Sequence, residues 1–405
     1  MSNVYTRLHC LFSSNRNSAN SIKSKLPQIQ NPKPTKSTPN INADINQGVK
    51  ELLDERDSKK LVEKFTSLSE HKYFRTKHRI YGNIIHRLTL SKQLSLIEYL
   101  LESQKIYISG EAFAARIIFL YGKAGLFEHA HKLFDELPDR GFEQSDRTFS
   151  ALLGAGCNSG NFDKVYELFQ EVPVKLAIKL SMDSYNAALH ALCKLGLFDD
   201  AVALLDVMEE KGLKPSVCSL NTVLGAFYEK GEFEKGEKIW ERMIGSGVVP
   251  DMISYNFKLQ KLVSEGKISE AMELIMELES KGLNPNVGTY NALIIGSCKH
   301  DDLDGVRRWY TELMSRGCIP NRVTFHTIVP FLCDKGDYSL AFQVCKRMFR
   351  RQCSVDKSLL QKVVDGLAKN SMIDEANILV GLGRSNSFFP YNLVLPNQGV
   401  VGFFL

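Results

Sequence analysis

The sequence predicts an all-α solenoid, and three observations carry that prediction. The chain repeats every 35 residues from Glu111 to Asp356, with starts at Glu111, Asp146, Met182, Val217, Met252, Val287 and Arg322 and one extra residue in the second repeat. Position 15 is glycine in Gly125, Gly160, Gly196, Gly231, Gly266 and Gly336, with Asp301 the exception. A Gly-x-x-Pro break closes four repeats, at Gly212 to Pro215, Gly247 to Pro250, Gly282 to Pro285 and Gly317 to Pro320. Glycine in a left-handed cap ends one helix, and proline stops the next. Each repeat is therefore two short helices, stacked because one helix pair cannot bury its own apolar face.

Taken in order, residues 1–43 contain no Asp or Glu, six basic residues and many Ser and Asn, the chemistry of a transit peptide. Val4, Leu8, Leu11 and Phe12 fall on one helical face beside Arg7. Residues 44–110 read as a degenerate helical cap, with a Leu61, Phe65, Leu68 stripe and a worn repeat from His78. The seven repeats fill 111–356. Residues 357–383 form a capping repeat with Ala376 in register, and 384–405 are a tail whose last seven residues are apolar and expected to fold on the final repeat.

Within the second helix, position 20 is small in Ala130, Ala201, Gly236, Ala271 and Ala341, and position 23 is large and apolar in Leu133, Leu168, Leu204, Ile239, Leu274 and Val344. With position 27 they make one buried stripe. Truncating Leu204 or Leu274 to Ala is expected to cost roughly 2–5 kcal/mol.

Composition excludes several classes. No apolar run approaches the roughly 20 residues of a membrane span. Without residues 1–43 the chain has 45 basic and 46 acidic residues, so bulk charge does not argue for nucleic acid, although a local cationic strip is compatible with it. Among the nine cysteines there is no Cys-x-x-Cys pair, and Cys157, Cys193, Cys298 and Cys333 all occupy position 12, as packing residues would. His129 and His131 point to different sides of a helix and do not converge on a metal. Gly154 to Gly160 superficially looks like a phosphate loop but lacks a preceding strand, and no Walker motif or deaminase zinc signature is present. No metal, cofactor or catalysis is expected.

The units Asp183-Ser-Tyr-Asn186…Leu192-Cys-Lys-Leu-Gly196…Lys214-Pro215 and Ile253-Ser-Tyr-Asn256…Gly282-Leu-Asn-Pro285 resemble pentatricopeptide repeats of the plain 35-residue class found in plant organelles. The resemblance implies a right-handed superhelix that binds single-stranded RNA, one base per repeat, read by positions 5 and 35. The implied base-recognition pairs are Asn186/Ser216, Asn221/Asp251, Asn256/Asn286, Asn291/Asn321 and His326/Asp356, preceded by Ala115/Ser145 and Ser150/Ser181. By resemblance, Asn221/Asp251 prefers U, the two Asn/Asn pairs prefer C over U, and Asn186/Ser216 takes a pyrimidine, giving a 5′-Y-U-Y-Y-3′ core. An asparagine offers a donor and an acceptor to a base edge; it equally suits a helix cap.

Other family positions are uneven. The aliphatic base clamp at position 2 is kept in Ile253 and Val323, while Ala112, Arg147, Asp183, Cys218 and Gly288 depart from it. A lysine near phosphate at position 13 is kept in Lys123, Lys194 and Lys299, while Glu229 and Asp334 invert it. Three such contacts imply a salt slope of about −2. The chain is also similar to short plant mitochondrial repeat proteins associated with the mitochondrial ribosome, in Phe113-Ala-Ala-Arg-Ile and Leu120-Tyr-Gly-Lys-Ala-Gly125. The expected compartment is the mitochondrial matrix rather than the chloroplast, because the amphipathic segment begins at once. The expected partner is an organellar messenger or ribosomal RNA, with proteins of the small ribosomal subunit as the alternative.

Overall fold

The computed structural model describes residues 41–350, 355–385 and 391–396. The transit-peptide segment up to residue 40 and the apolar end Gly399 to Leu405 lie outside the described residues. Within them every regular element is helical. Contacts divide the chain into two compact bodies, one ending at Cys218 and one beginning at Ser219.

The first body opens with α1 (Ile41–Asp54), α2 (Ser58–Ser69), α3 (Lys72–Arg75), α4 (His78–Leu90) and α5 (Leu94–Gln104). Helix α1 starts three residues inside the stretch read from sequence as transit peptide. Rings cement these helices: Phe65 meets Phe74 edge-on at 5.1 Å and Tyr81 at 4.8 Å. The buried Tyr81 hydroxyl donates to Gln104 Oε1 (3.0 Å), and Gln104 Nε2 donates to Ser69 Oγ (3.0 Å), so this polar chain is satisfied inside the core. Three hairpins follow: α6 (Glu111–Lys123) with α7 (Phe127–Asp135), α8 (Asp146–Ser159) with α9 (Phe162–Leu176), and α10 (Met182–Leu195) with α11 (Phe198–Glu210). The extra residue of the second repeat is absorbed where α9 ends on a left-handed Ala177 in place of the usual glycine.

The second body stacks α12 (Val217–Lys230) and α13 (Phe233–Gly245), α14 (Met252–Ser264) and α15 (Ile268–Ser280), α16 (Val287–Lys299) and α17 (Leu303–Ser315), and α18 (Arg322–Asp334) and α19 (Tyr338–Arg350). It ends in α20 (Lys357–Lys369) and α21 (Ile373–Ser385). Residues 391–396 then fold back over the last hairpin. Leu393 is fully buried, Tyr391 lies edge-on to Phe349 at 5.7 Å, and Gln361 exchanges two hydrogen bonds with the Val394 backbone (2.6 and 3.0 Å). That segment covers apolar surface on the last hairpin that would otherwise face water.

Two local features explain the repeat. Position 15 is left-handed in every regular repeat, Asp301 (φ 60°) included, and the same geometry recurs at Lys92 (φ 55°) and Ser371 (φ 62°), which extends the register to the flanking hairpins. Position 12 must be small where first helices cross closely: a Cβ on Gly122 would lie 2.2 Å from the Ala155 Cα of the next repeat. Cysteine fits the same slot. Cys157, Cys193 and Cys333 are buried and reduced, and burial pushes the Cys157 thiol up to about 12.

The second-helix stripe differs from the sequence expectation in two repeats. Leu204 and Leu274 are only half-buried, whereas Leu205 and Ile275 beside them are buried together with Ala201, Met208, Ala271 and Leu278. The stripe there runs through positions 20, 24 and 27, a spacing of four then three. The large cost of truncation therefore moves one residue along.

Candidate RNA-binding face

Each first helix begins directly after position 35, so that residue stands at its N-terminal boundary. Ser145, Ser181, Asp251, Asn286 and Asn321 all have the extended backbone of a cap. Asp251 Oδ1 accepts from the Ile253 and Ser254 amides (3.0 Å each), Asn286 Oδ1 from Gly288 and Thr289 (2.8 and 3.2 Å), and Asn321 Oδ1 from Thr324 (3.1 Å). The capping role that the sequence allowed for the position-5 asparagines thus falls on position 35. Position 5 lies in the fifth residue of the helix, too deep to cap it.

The position-5 asparagines instead reach the cap at the end of their own repeat. Asn221 Nδ2 donates to Asp251 Oδ1 (2.9 Å), Asn256 to Asn286 (3.3 Å) and Asn291 to Asn321 (3.2 Å). A third residue, which the sequence reading passed over, completes the station: the hydroxyl at position 3 of the next repeat. Ser254 Oγ donates to Asn221 Oδ1 (2.7 Å), Thr289 to Asn256 (2.9 Å) and Thr324 to Asn291 (2.7 Å). Each hydroxyl in turn accepts from the cap's own backbone N–H at 3.1 Å. All three hydroxyl residues are fully buried, as are Thr148, Ser184 and Ser219 at the same position. The signal was a run of six hydroxyl residues three places after position 35.

This ring of bonds fixes which way each amide points. The hydroxyl has one proton, and its oxygen lies closer to the asparagine oxygen (2.7–2.9 Å) than to the cap oxygen (3.1–3.5 Å), which leaves the asparagine nitrogen facing the cap. One amide proton and one oxygen lone pair remain on each asparagine. On the caps, the amide donors to Asp251 all fall on Oδ1, leaving Oδ2 without a bond among the described residues. Asn286 and Asn321 likewise use only Oδ1 and so present an unpaired N–H donor. Two chemically opposite stations result from one backbone geometry.

The sequence pairs Asn186 with Ser216 in repeat 3. Ser216 stands directly before α12, outside any helix, and is half-buried. Asp251, Asn286 and Asn321 each carry two terminal atoms, one spent on the cap and one held in reserve, whereas a serine carries a single oxygen on a shorter stem. Asn186 is buried like Asn221 and Asn291, at 5–6 % exposure.

Position 2 flanks the station of the preceding repeat. A Cβ on Gly288 would lie 2.8 Å from Asn256 Nδ2 and 3.0 Å from Asn286 Oδ1, so a larger side chain there would wall the amide pair. Ile253 and Val323 at the same register are half-buried. In repeat 3 the register holds Asp183, whose carboxyl is raised to about 6 by burial and by the neighbouring Asp146. Asp146 itself accepts from the Ser181 amide (2.9 Å) and the Ser184 hydroxyl (2.8 Å).

The remaining sequence candidates are scattered in character. His326 faces Asp356 at 3.8 Å and accepts from Arg322 Nε (3.2 Å); burial first, then Arg322, lowers its pKa against the pull of Asp356. Lys194 and Lys299 are exposed, while Lys123 is half-buried over the Phe119 ring (5.2 Å) with its pKa lowered by burial. Asp334, the inverted position 13, is paired with Lys362 at 2.6 Å.

Stacked helix hairpins, three of them bearing the same polar station, define a helical-repeat protein. The match to known families is specific. The PPR repeat family matches residues 250–299 and 285–334, the pentatricopeptide repeat domain residues 167–230, and the PPR repeat residues 116–142, 147–175 and 218–248. The chain belongs to the pentatricopeptide repeat family. It is 49% identical over 161 residues to small ribosomal subunit protein mS78 (rPPR3a) of Arabidopsis thaliana, 39% of this chain and 40% of that one. It is 44% identical over 163 residues to small ribosomal subunit protein mS79 (rPPR3b) of the same plant, covering 40% and 41%. The chain thus spans about two fifths of the length of these relatives. The crystal structure of pentatricopeptide repeat protein PPR10 from maize aligns with TM-score 0.46 at 22% identity, over 88% of this chain and 49% of that one.

Proposed function

We propose that this chain binds single-stranded RNA in the mitochondrion, one base per repeat, and acts in RNA stability, processing or translation by binding rather than catalysis. The observation that carries the reading is the Asn–cap–hydroxyl station repeated in Asn221/Asp251, Asn256/Asn286 and Asn291/Asn321. Each has its internal bonds satisfied and keeps a donor and an acceptor in reserve. An outward carboxylate oxygen at Asp251 suits the N3–H of uracil, and an outward amide N–H at Asn286 or Asn321 suits the N3 of cytosine. Asn186/Ser216 and His326/Asp356 hold the corresponding positions in repeats 3 and 7. Ile253 and Val323 supply base walls, and Lys123, Lys194 and Lys299 contact phosphate.

A second reading places the same face on ribosomal RNA, with the chain a component of the mitochondrial small ribosomal subunit. It is favoured by the two relatives at 49% and 44% identity, both of them small-subunit proteins. Ultraviolet crosslinking of the tagged protein in intact mitochondria, with sequencing of the bound RNA, separates the two. A narrow peak on one transcript at a pyrimidine core supports a dedicated transcript factor. Crosslinks confined to ribosomal RNA support the ribosomal role, and no crosslinked RNA refutes both.

A further inference from the structure

The overall charge balance hides a local exception. From His71 to Ile97 the chain carries six Lys and Arg and three His with no Asp or Glu. This run forms α3, α4 and the turns around them. Lys72 and Arg79 are exposed, and Lys77 Nζ stands 4.5 Å over the ring of the exposed Tyr73. Arg116 of α6 crosses to this corner, where Nη1 donates to the Arg75 carbonyl (2.6 Å) and Nη2 lies 3.3 Å from His78 Nε2. Its guanidinium rests over the Phe113 ring at 5.1 Å. Burial first, and then the charge of Arg147, lowers the Arg116 pKa, and burial followed by the Arg116 charge lowers that of His78. Arg147 is exposed at position 2 of repeat 2.

Among the described residues none of Lys72, Arg75, Lys77, Arg79, Arg116 and Arg147 is paired with a carboxylate. Elsewhere in the chain cations are routinely neutralised, as in Lys164–Glu128, Arg307–Asp337 and Arg316–Glu279. Like charges packed without counter-charges lose stability unless an anion joins them. We propose that the surface running from the α3–α4 corner through Arg116 to Arg147 is a second nucleic-acid site, which grips the phosphate backbone of RNA without reading its bases.

Three features favour this occupant. The cations sit on helix ends and turns anchored by the aromatic core, so they are spaced rather than pooled. Aromatic faces within reach are already covered by cations, Tyr73 by Lys77 and Tyr107 by Arg75 (4.5 Å each), which leaves charge rather than ring stacking as the contact. Arg147 occupies the register that flanks the base stations, so the patch continues the first-helix row of its own body. The site goes beyond the base-reading row and requires no unpaired bases.

The test uses the full chain and a combined Lys72→Ser, Lys77→Ser, Arg79→Ser variant, with circular dichroism as the control for folding. Binding is measured across a salt series to a blunt RNA duplex, to an unstructured pyrimidine oligonucleotide, and to phosphatidylserine vesicles. For the duplex the variant is expected to lose at least about tenfold in affinity at low salt, with a log–log salt slope shallower by about 2 to 3. The oligonucleotide, held also by the base-reading row, should lose several-fold less affinity than the duplex. A folded variant that keeps the duplex affinity and slope overturns the proposal, as does loss confined to vesicles. Binding of the duplex without the oligonucleotide would refute the base-reading row while leaving this site standing, and the converse would refute this site alone.

Discussion

Replacing Asp251 with Asn tests the base-reading geometry at one atom. The substitution keeps Oδ1, which accepts from the Ile253 and Ser254 amides and from Asn221 Nδ2, and converts only the unpaired Oδ2 into an amide nitrogen. Asn286, one repeat on, already holds that arrangement with the same kinds of partner, so the fold accommodates it. Asn and Asp are equivalent caps, and losing the charge at the α14 N-terminus costs about 0.3–1 kcal/mol. Specificity changes far more. An acceptor that met the N3–H of uracil becomes a donor facing a donor, and one unpaired buried polar group costs about 1–3 kcal/mol. That is roughly five- to 150-fold in the U-to-C affinity ratio at the base opposite repeat 4.

The assay is fluorescence anisotropy on two short RNAs that differ only at that base, for the parent, for Asp251→Asn and for the reciprocal Asn286→Asp. The first variant should shift toward C and the second, at its own base, toward U. If both fold normally and neither ratio moves, the bases do not sit on these stations, and the preserved bonding ring is a structural cap alone.

The remaining predictions concern stability. Leu205→Ala should cost about 2–5 kcal/mol, against roughly half of that for the half-buried Leu204→Ala, measured by chemical denaturation; equal losses would refute the 20, 24, 27 stripe. Lys92→Gly relieves a left-handed strain of about 1–2 kcal/mol and adds about 0.5–1 kcal/mol of unfolded-state freedom, a net gain of about 0.5 kcal/mol in thermal unfolding. Asp183→Asn should raise the melting temperature at pH 7.5. The folded carboxyl titrates near 6 against an ordinary 3.8, so its penalty is absent below about pH 4 and complete above 6, and the gain should vanish on acidification. The depressed histidines have the opposite sign: His78, His86 and His326 contribute stability above their ordinary pKa that is lost as pH falls through the lowered one. Replacing all three with Gln should flatten the acid limb of a melting-temperature profile.

The hairpin architecture was legible because its punctuation is backbone chemistry. A glycine at position 15 announces a left-handed residue wherever it stands, and proline at position 34 announces a stop. The same rule was blind at Lys92, Asp301 and Ser371, where neighbouring helices hold a side-chain-bearing residue in that geometry. Burial within the second helix was legible only to about one residue, because Leu204 and Leu205 are chemically identical and tertiary packing alone chooses between them. The pairing of positions 5 and 35 was visible as a ladder of polar residues, and three of its rungs are bonded directly.

The ladder's third member, by contrast, was missed. A Ser or Thr three places after a cap already has a local explanation, the capping box, in which its oxygen accepts from the cap backbone. That bond is present, and it accounts only for the lone pair. The proton goes 33 residues back along the chain, to the asparagine of the preceding repeat. A residue whose acceptor half satisfies a local motif and whose donor half satisfies a distant one looks, in sequence, like the local motif alone, and only the stacked helices show that it orients the position-5 amides.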